Sequence, residues 1–153
     1  MHGTLQASCS GMSFLPPAVA VEKPAPTVLL VDDDSSVRTS LGRVLLAEGL
    51  QLMTARGVKD ALEHISRHAP DLVITDLCMA PLSGCDLITH LANKFPALPV
   101  FVITALPLQS AGGVERLAAG FFQKPLNLEA VFAAIRRALG VVGPAPRASI
   151  ARQ

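Results

Sequence analysis

The sequence predicts a doubly wound α/β sandwich, in which helices cover both faces of a five-stranded parallel sheet. Short apolar runs alternate with segments whose apolar residues recur every three or four positions, the spacing of one helical face. The apolar runs are continuous rather than alternating with polar residues, which is typical of strands buried on both sides. Because crossovers between parallel strands are right-handed, the helices are expected on both faces of the sheet.

Five runs predict the strands: TVLLV, QLMTA (residues 51–55), LVITD, PVFVIT and a short strand within GFFQKP. Asp34 or Ser35 can cap the first helix, and Pro70 stops the second. The poorly patterned stretch 108–118 is expected to be a short helix. The other four predicted helices each have an apolar face: Val37, Leu41, Val44 and Leu45; Val58, Ala61, Leu62 and Ile65; Leu87, Ile88 and Leu91; Leu128, Val131, Phe132 and Ile135.

Composition limits what the chain can do. Its 153 residues are enough for one domain with a hydrophobic core. The formal net charge of +1 implies no general attraction to nucleic acid or to an anionic membrane. No apolar run approaches the roughly 18 residues that span a bilayer. Three cysteines, an odd number, fit free thiols in a reducing compartment, so we expect a cytoplasmic protein.

We expect one folded domain between two flexible tails. Residues 1–26 form a leader with four prolines and no periodicity, and they lack the basic start of a secretory signal. Residues 27–142 form the domain, and residues 143–153 form the second tail. Since only about 13 residues follow Gly140, we expect no separate DNA-binding domain.

Polar side chains follow the predicted strands at their carboxyl ends, where open parallel sheets bind ligands. Strand one ends at Asp32 and Asp33, strand three at Asp76, strand four at Thr104, and strand five at Lys124. In the strand order 2-1-3-4-5, strands one and three are neighbours, so the three carboxylates should share one cleft. No G-x-G-x-x-G motif follows strand one, which disfavours a dinucleotide.

Carboxylates placed this closely repel each other by roughly 4 kcal/mol per pair at about 4 Å. Either they bind protons at raised pKa or a cation neutralises them, and oxygen ligands favour Mg²⁺ over zinc. Such a site can accept a phosphoryl group on Asp76 as an acyl phosphate. Mg²⁺ would then bridge Asp33, Asp76 and the phosphoryl oxygens, while Lys124 and Thr104 would contact further phosphoryl oxygens.

Four motifs in order resemble the receiver domain of two-component response regulators: VLLVDDDSSVRTSL, DLVITDLCMAPLSG, VFVITA and FFQKPLN. The resemblance runs from about Thr27 to Gly140. It implies a flavodoxin-like (βα)5 fold and Mg²⁺-dependent phosphotransfer from the phosphohistidine of a sensor histidine kinase. It also implies these roles: Asp76 as phosphoacceptor, Asp33 as the closer metal ligand, Asp32 acting through water, the backbone carbonyl of Cys78 as a third protein ligand, Thr104 as the switch hydroxyl, Phe121 as the aromatic switch, and Lys124 as the family's lysine.

Several features depart from the family pattern. The proline after the acceptor stands one place late, in MAP, and Phe121 lacks the hydroxyl that a tyrosine would have there. The chain is about two residues short between Thr104 and Lys124, within LPLQSAGG. Cys78 and Leu106 should flank the phosphoryl group, and neither orients an attacking water well, so we expect slow loss of phosphate.

Each motif also has a simpler interpretation when it is taken alone. Asp32, Asp33 and Asp34 can form a helix cap, and Lys124 can lie in an ordinary turn. The Thr104 hydroxyl can bond to the backbone at the end of its strand. The simpler interpretation is preferred for two pairs, a surface position for His64 and His68 and apolar filling for Cys78 and Cys85.

We expect a stand-alone receiver phosphorylated on Asp76, with no catalytic activity beyond its own phosphorylation and dephosphorylation. Its output would be contact with another protein through the output face, defined here as predicted helix four (residues 108–118), strand five (within GFFQKP) and predicted helix five (the helix that contains Leu128 and Ile135). We expect no direct binding to nucleic acid or membrane, and a monomer or a weak homodimer through the output face.

Other functions remain open. The chain could relay phosphate to a histidine phosphotransfer protein, or it could be a degenerate receiver that acts as an unphosphorylated interaction module. A hydrolase with Asp76 as nucleophile is disfavoured, because the second aspartate of aspartate phosphatases is replaced by Cys78.

Overall fold

The five predicted strands form one parallel sheet in the computed structural model, which describes residues 23–141. Most of the predicted leader and all of the predicted tail lie outside the described residues. The strand order is β2-β1-β3-β4-β5, as predicted. The strands are β1 (Thr27–Val31), β2 (Gln51–Ala55), β3 (Leu72–Thr75), β4 (Val100–Thr104) and β5 (Gly120–Gln123).

Four α-helices connect and follow these strands within residues 23–141: α1 (Ser35–Ala47), α2 (Val58–Arg67), α3 (Gly84–Lys94) and α4 (Leu128–Leu139). Of the two caps considered for α1, the structure has Asp34, whose carboxylate accepts the N–H of Ser36. At the start of α3, Ser83 and Asp86 form a reciprocal capping box. No helix in this part of the chain is long and apolar enough to cross a membrane.

The prediction of a helix over residues 108–118 is wrong. The chain forms two separate 3₁₀ turns there, Leu108–Ser110 and Val114–Arg116. Gly112 and Gly113 lie between the turns with φ of +65° and +89°, a left-handed conformation that interrupts a helix. The output face therefore lacks its predicted helix four, and the two 3₁₀ turns occupy its place in the chain between β4 and β5.

The sheet separates two apolar cores, because successive side chains of each strand point to opposite faces. Leu29 of β1 lies in the core with α2 and α3, whereas Leu30 lies in the core with α1 and α4. β5 divides its two phenylalanines in the same way. Phe121 contacts the first core and Phe122 the second, where its ring lies 5.7 Å from that of Phe101.

Candidate functional site

The register of the sheet brings the predicted site residues to one edge. Val31 is paired with Thr75, so Asp32 and Asp76 leave neighbouring strands at the same level. The backbone N–H of Asp76 donates to the carbonyl of Val31 at 3.2 Å. On the other side, the N–H of Lys124 donates to the carbonyl of Thr104 at 2.8 Å. These backbone contacts fix where each side chain begins.

The ammonium group of Lys124 lies between the two acids. Its Nζ is 3.1 Å from Oδ2 of Asp76 and 3.7 Å from Oδ2 of Asp32. Both carboxylates are buried, with Asp32 4% exposed and Asp76 8% exposed. The structure thus brings together Asp32, Asp76 and Lys124, while their chemical roles remain predictions.

Burial and the neighbouring charges shift the pKa of Asp32 and the pKa of Lys124. Burial raises the pKa of Asp32, and the charges of Asp76 and Asp33 raise it further, against the Asp34 N–H and the Lys124 charge. For Lys124, burial acts to lower the pKa, but its hydrogen bond and charge interaction with Asp76, together with Asp32, raise it overall. The lysine therefore stays charged near neutral pH. The contacts of Asp32 do not fully offset the cost of burying its negative charge.

The carboxylate of Asp76 is held at both oxygens. Oδ1 accepts the backbone N–H of Cys78 at 3.0 Å, and Oδ2 accepts a hydrogen bond from Lys124. The two contacts fix the plane of the carboxylate at the carboxyl end of β3.

The start of α3 lies directly against the backbone of Asp76. A Cβ atom added to Gly84 would collide with the carbonyl oxygen of Asp76 and would come within 2.9 Å of Leu77 Cα. The N–H of Gly84 donates to the carbonyl of Leu77 at 3.1 Å. Glycine is required here by the close approach of two backbones, which explains its place in the motif LSG.

Thr104 is buried, and its Oγ1 accepts the N–H of Leu106 at 3.2 Å. This contact agrees with the simpler interpretation, a strand-end hydroxyl bonded to backbone, and it leaves the hydroxyl proton available for another acceptor. Leu106 contacts the first core, and Phe121 is half-buried. Cys78 is exposed, so the prediction that it fills apolar space is wrong. The flanking and switch roles of these three residues remain predictions.

The predicted metal ligands are only partly assembled. Asp33 is exposed, and no three His, Cys, Asp or Glu side chains among residues 23–141 converge on a common point. The donor set nevertheless fits a hard cation. Two buried carboxylates face one ammonium, the pKa of Asp32 is raised, and Asp33 is its direct neighbour in the chain. Nε2 of His64 lies 3.6 Å from Oδ1 of Asp60, and the two side chains are 37% and 41% exposed, which agrees with a surface position for His64.

Sequence reasoning missed one residue at this edge, Arg38. Its Nη1 donates to the backbone carbonyl of Asp32 at 2.7 Å. Its own N–H donates to the carbonyl of Asp34, which places Arg38 one helical turn beyond the cap. That position in the sequence was the one indication of the contact with Asp32, because a side chain in the first turns of α1 can fold back over the preceding loop.

The chain belongs to the response regulator receiver domain family, whose model matches residues 28–136. Similar curated proteins include the transcriptional regulatory protein GlrR of Escherichia coli strain K12, 34% identical over 126 residues, which are 80% of this chain and 28% of GlrR. Response regulator MprA of Mycobacterium leprae is 35% identical over 114 residues, 73% of this chain and 50% of MprA. The chain therefore spans half or less of these relatives.

Solved structures show the same fold. A response regulator receiver protein from Pseudomonas putida matches with a TM-score of 0.70 and 29% identity, over 75% of this chain and 98% of that one. The response regulator TrrA from Thermotoga maritima, solved in complex with Mg²⁺ and BeF, matches with a TM-score of 0.70 and 24% identity, over 74% of this chain and 99% of TrrA. The flavodoxin-like sandwich predicted from the sequence is confirmed.

Proposed function

We propose that this receiver domain accepts a phosphoryl group on Asp76 from the phosphohistidine of a sensor histidine kinase. The observation that carries the proposal is the buried pair Asp32 and Asp76 sharing the ammonium of Lys124 at the carboxyl ends of β1 and β3. Membership of the receiver family supports it. Asp33, Asp76 and the carbonyl of Cys78 would hold Mg²⁺ directly, with Asp32 acting through water.

The proposed transfer uses the contacts described above. An oxygen of the Asp76 carboxylate forms a bond to phosphorus while the bond from phosphorus to the kinase imidazole nitrogen breaks, and that nitrogen leaves with the electron pair. Lys124 stabilises charge on the phosphoryl oxygens, and the free hydroxyl proton of Thr104 is available to a third oxygen. Bound Mg²⁺ would neutralise further phosphoryl charge.

The output that we propose is contact with another protein, through β5, α4 and the 3₁₀ turns that replace predicted helix four. Leu108 of the first 3₁₀ turn and Leu117, which follows the second, are 49% and 48% exposed, which provides apolar surface in the segment between β4 and β5. GlrR and MprA are longer than this chain and are named as regulators, GlrR of transcription. A DNA-binding output through a further domain is thus the competing proposal.

The direct test is the intact mass of the protein after incubation with acetyl phosphate and Mg²⁺. We expect the wild type to gain one phosphoryl group, Asp76→Asn to gain none, and the exposed-acid control Glu63→Gln to behave as the wild type. A folded wild type that gains no phosphoryl group and shows no response to beryllofluoride would instead identify an unphosphorylated interaction module. The missing helix is the observation that favours this second candidate.

The loss of phosphate tests the flanking residues. Because neither Leu106 nor Cys78 offers a group that orients water, we expect slow hydrolysis of the acyl phosphate. Leu106→Glu should shorten the phosphoryl half-life, measured as the decay of the phosphorylated mass. An unchanged half-life would count against a flanking role for Leu106, and rapid back-transfer to a histidine phosphotransfer protein would favour the relay function.

A further inference from the structure

The loop between β1 and α1 is fixed at the backbone of Asp32 on both sides. The N–H of Asp32 donates to the carbonyl of Ala55 at 3.2 Å, and its carbonyl accepts Nη1 of Arg38 at 2.7 Å. The Asp32 side chain is also bonded within the loop, since Oδ1 accepts the N–H of Asp34 at 2.9 Å. The guanidinium of Arg38 is thus the side-chain group that fixes the carbonyl.

A peptide group is planar, so fixing the carbonyl of Asp32 also fixes the N–H of Asp33 and the direction in which Asp33 leaves the strand. Arg38 itself is anchored, because its N–H donates to the carbonyl of Asp34 within the first turn of α1. The helix cap, the loop and the end of β1 therefore form one hydrogen-bonded unit. Removing the guanidinium removes the side-chain hydrogen bond to the peptide that joins Asp32 to Asp33.

We propose that Arg38 is a positioning residue for the acidic pair Asp32 and Asp33, and that it raises the affinity of the site for a divalent cation. This inference rests on the proposed function, since it assumes that these carboxylates hold Mg²⁺. Arg38 acts through the backbone of Asp32 and contacts neither the cation nor the phosphoryl group.

The sign of the effect separates positioning from simple electrostatics. A positive charge near a cation site repels the cation, so electrostatics alone predicts that removing Arg38 tightens Mg²⁺ binding. Positioning predicts the opposite, because a loosened loop must be ordered again when the cation binds. Loss of groups that orient metal ligands commonly weakens metal binding by about 10-fold or more.

The experiment is calorimetric titration of the full chain with Mg²⁺, without a phosphodonor. We expect Arg38→Met to bind Mg²⁺ about 10-fold more weakly than the wild type. Arg43→Met is the matched control: Arg43 is an exposed arginine of the same helix, so its loss removes the same charge. Arg43→Met should bind as tightly as the wild type or slightly tighter. Unchanged or tighter binding by folded Arg38→Met would overturn the proposal.

Two further variants make the result decisive. Arg38→Lys keeps the positive charge and the alkyl stem, and it replaces Arg38→Met if that variant does not fold. We expect Arg38→Lys to lose less affinity for Mg²⁺ than Arg38→Met. An affinity equal to that of the wild type would contradict positioning.

Asp76→Asn reports on the proposed function. If it weakens Mg²⁺ binding while the Arg38 variants do not, only the inference on Arg38 fails. If the wild type binds no Mg²⁺, both proposals fail.

Discussion

Two regions at the same edge of the sheet are built very differently: the acidic site at the ends of β1 and β3, and the segment 105–119 that follows β4. At the acidic site, the sheet register, the backbone hydrogen bonds and the ion pairs of Lys124 together hold Asp32, Asp76 and Lys124 in place. In the segment 105–119, Leu108 and Leu117 are half exposed. Oε2 of Glu115 is buried there without a hydrogen-bond partner within residues 23–141.

The difference separates a region whose groups are already in position from a region suited to rearrangement or binding. The acidic site positions its groups before any ligand arrives, which is what electrostatic stabilisation of a transferred group requires. The segment 105–119 exposes leucines and buries an unpartnered carboxylate oxygen, the reverse of what stability favours. Such local conflicts are expected where a protein is built to rearrange or to bind.

The largest expected effect is on the chemistry of the acidic site. Lys124→Met should slow phosphorylation of Asp76 by acetyl phosphate about 100-fold, because the positioned positive charge is lost. The initial rate of phosphoryl gain by intact mass measures this. Lys94→Met, which removes an exposed lysine at the end of α3, should keep the wild-type rate. A wild-type rate in Lys124→Met would show that the ion pairs are only structural.

The next effect is on stability at the start of α3. Gly84→Ala should lower the free energy of unfolding by about 2–3 kcal/mol, since its methyl group meets the carbonyl of Asp76. Urea denaturation measures the loss. Gly57→Ala is the control, because Gly57 lies at the N-cap of α2, whereas Gly84 is the first residue of α3, and an added Cβ at Gly57 has nothing within 4 Å. Equal stability of the two variants would mean that the close approach at Gly84 relaxes easily.

A smaller effect is expected within the segment 105–119. Leu117→Ala should cost less than about 1 kcal/mol because half of the side chain is already in water. Leu87→Ala, at a fully buried position of α3, should cost about 3 kcal/mol. Thermal and urea unfolding compare the two. A cost at Leu117 as large as that at Leu87 would place this leucine in a core and remove the contrast between the regions.

The smallest effect concerns the cap of α1. Hydrogen bonds from Ser36, first from its hydroxyl and then from its N–H, lower the pKa of Asp34 below the ordinary value of 3.8. A depressed pKa contributes stability above 3.8 that is lost as the pH falls through the folded-state value. Asp34→Asn keeps a capping oxygen without a titrating group.

The stability difference between wild type and Asp34→Asn should therefore favour the wild type near neutral pH and shrink in more acidic solution. Melting temperatures measured near neutral pH and at about pH 3 test this. A difference that stays constant between the two conditions would show that the charge of Asp34 does not contribute to the cap.

Much of the fold could be predicted because apolar spacing reports burial directly. The strands and four helices follow from runs such as TVLLV and from faces such as Val58, Ala61 and Ile65, which are buried in the structure. The segment 108–118 could not be predicted in the same way, because it lacks periodicity. Its shape depends on the positive φ of Gly112 and Gly113, a freedom that composition alone does not define.

At the site, residue type and strand ends were enough to find Asp32, Asp76 and Lys124. The division of Phe121 and Phe122 between the two cores needed the register of β5, in which Val102 pairs with Phe121. Arg38 was missed because its partner is a backbone carbonyl, which residue types do not reveal; its position in the first turns of α1 was the one indication of a contact with the preceding loop.

The contact between Gly84 and Asp76 also has a mechanical consequence. A side chain placed between two elements absorbs a small shift by changing rotamer, but two main chains in direct contact cannot. A displacement of the peptide at Asp76 would therefore shift the first turn of α3. Because α3 is one continuous helix, such a shift would reach its last residue, Lys94, at the other end of the 11-residue helix from the contact.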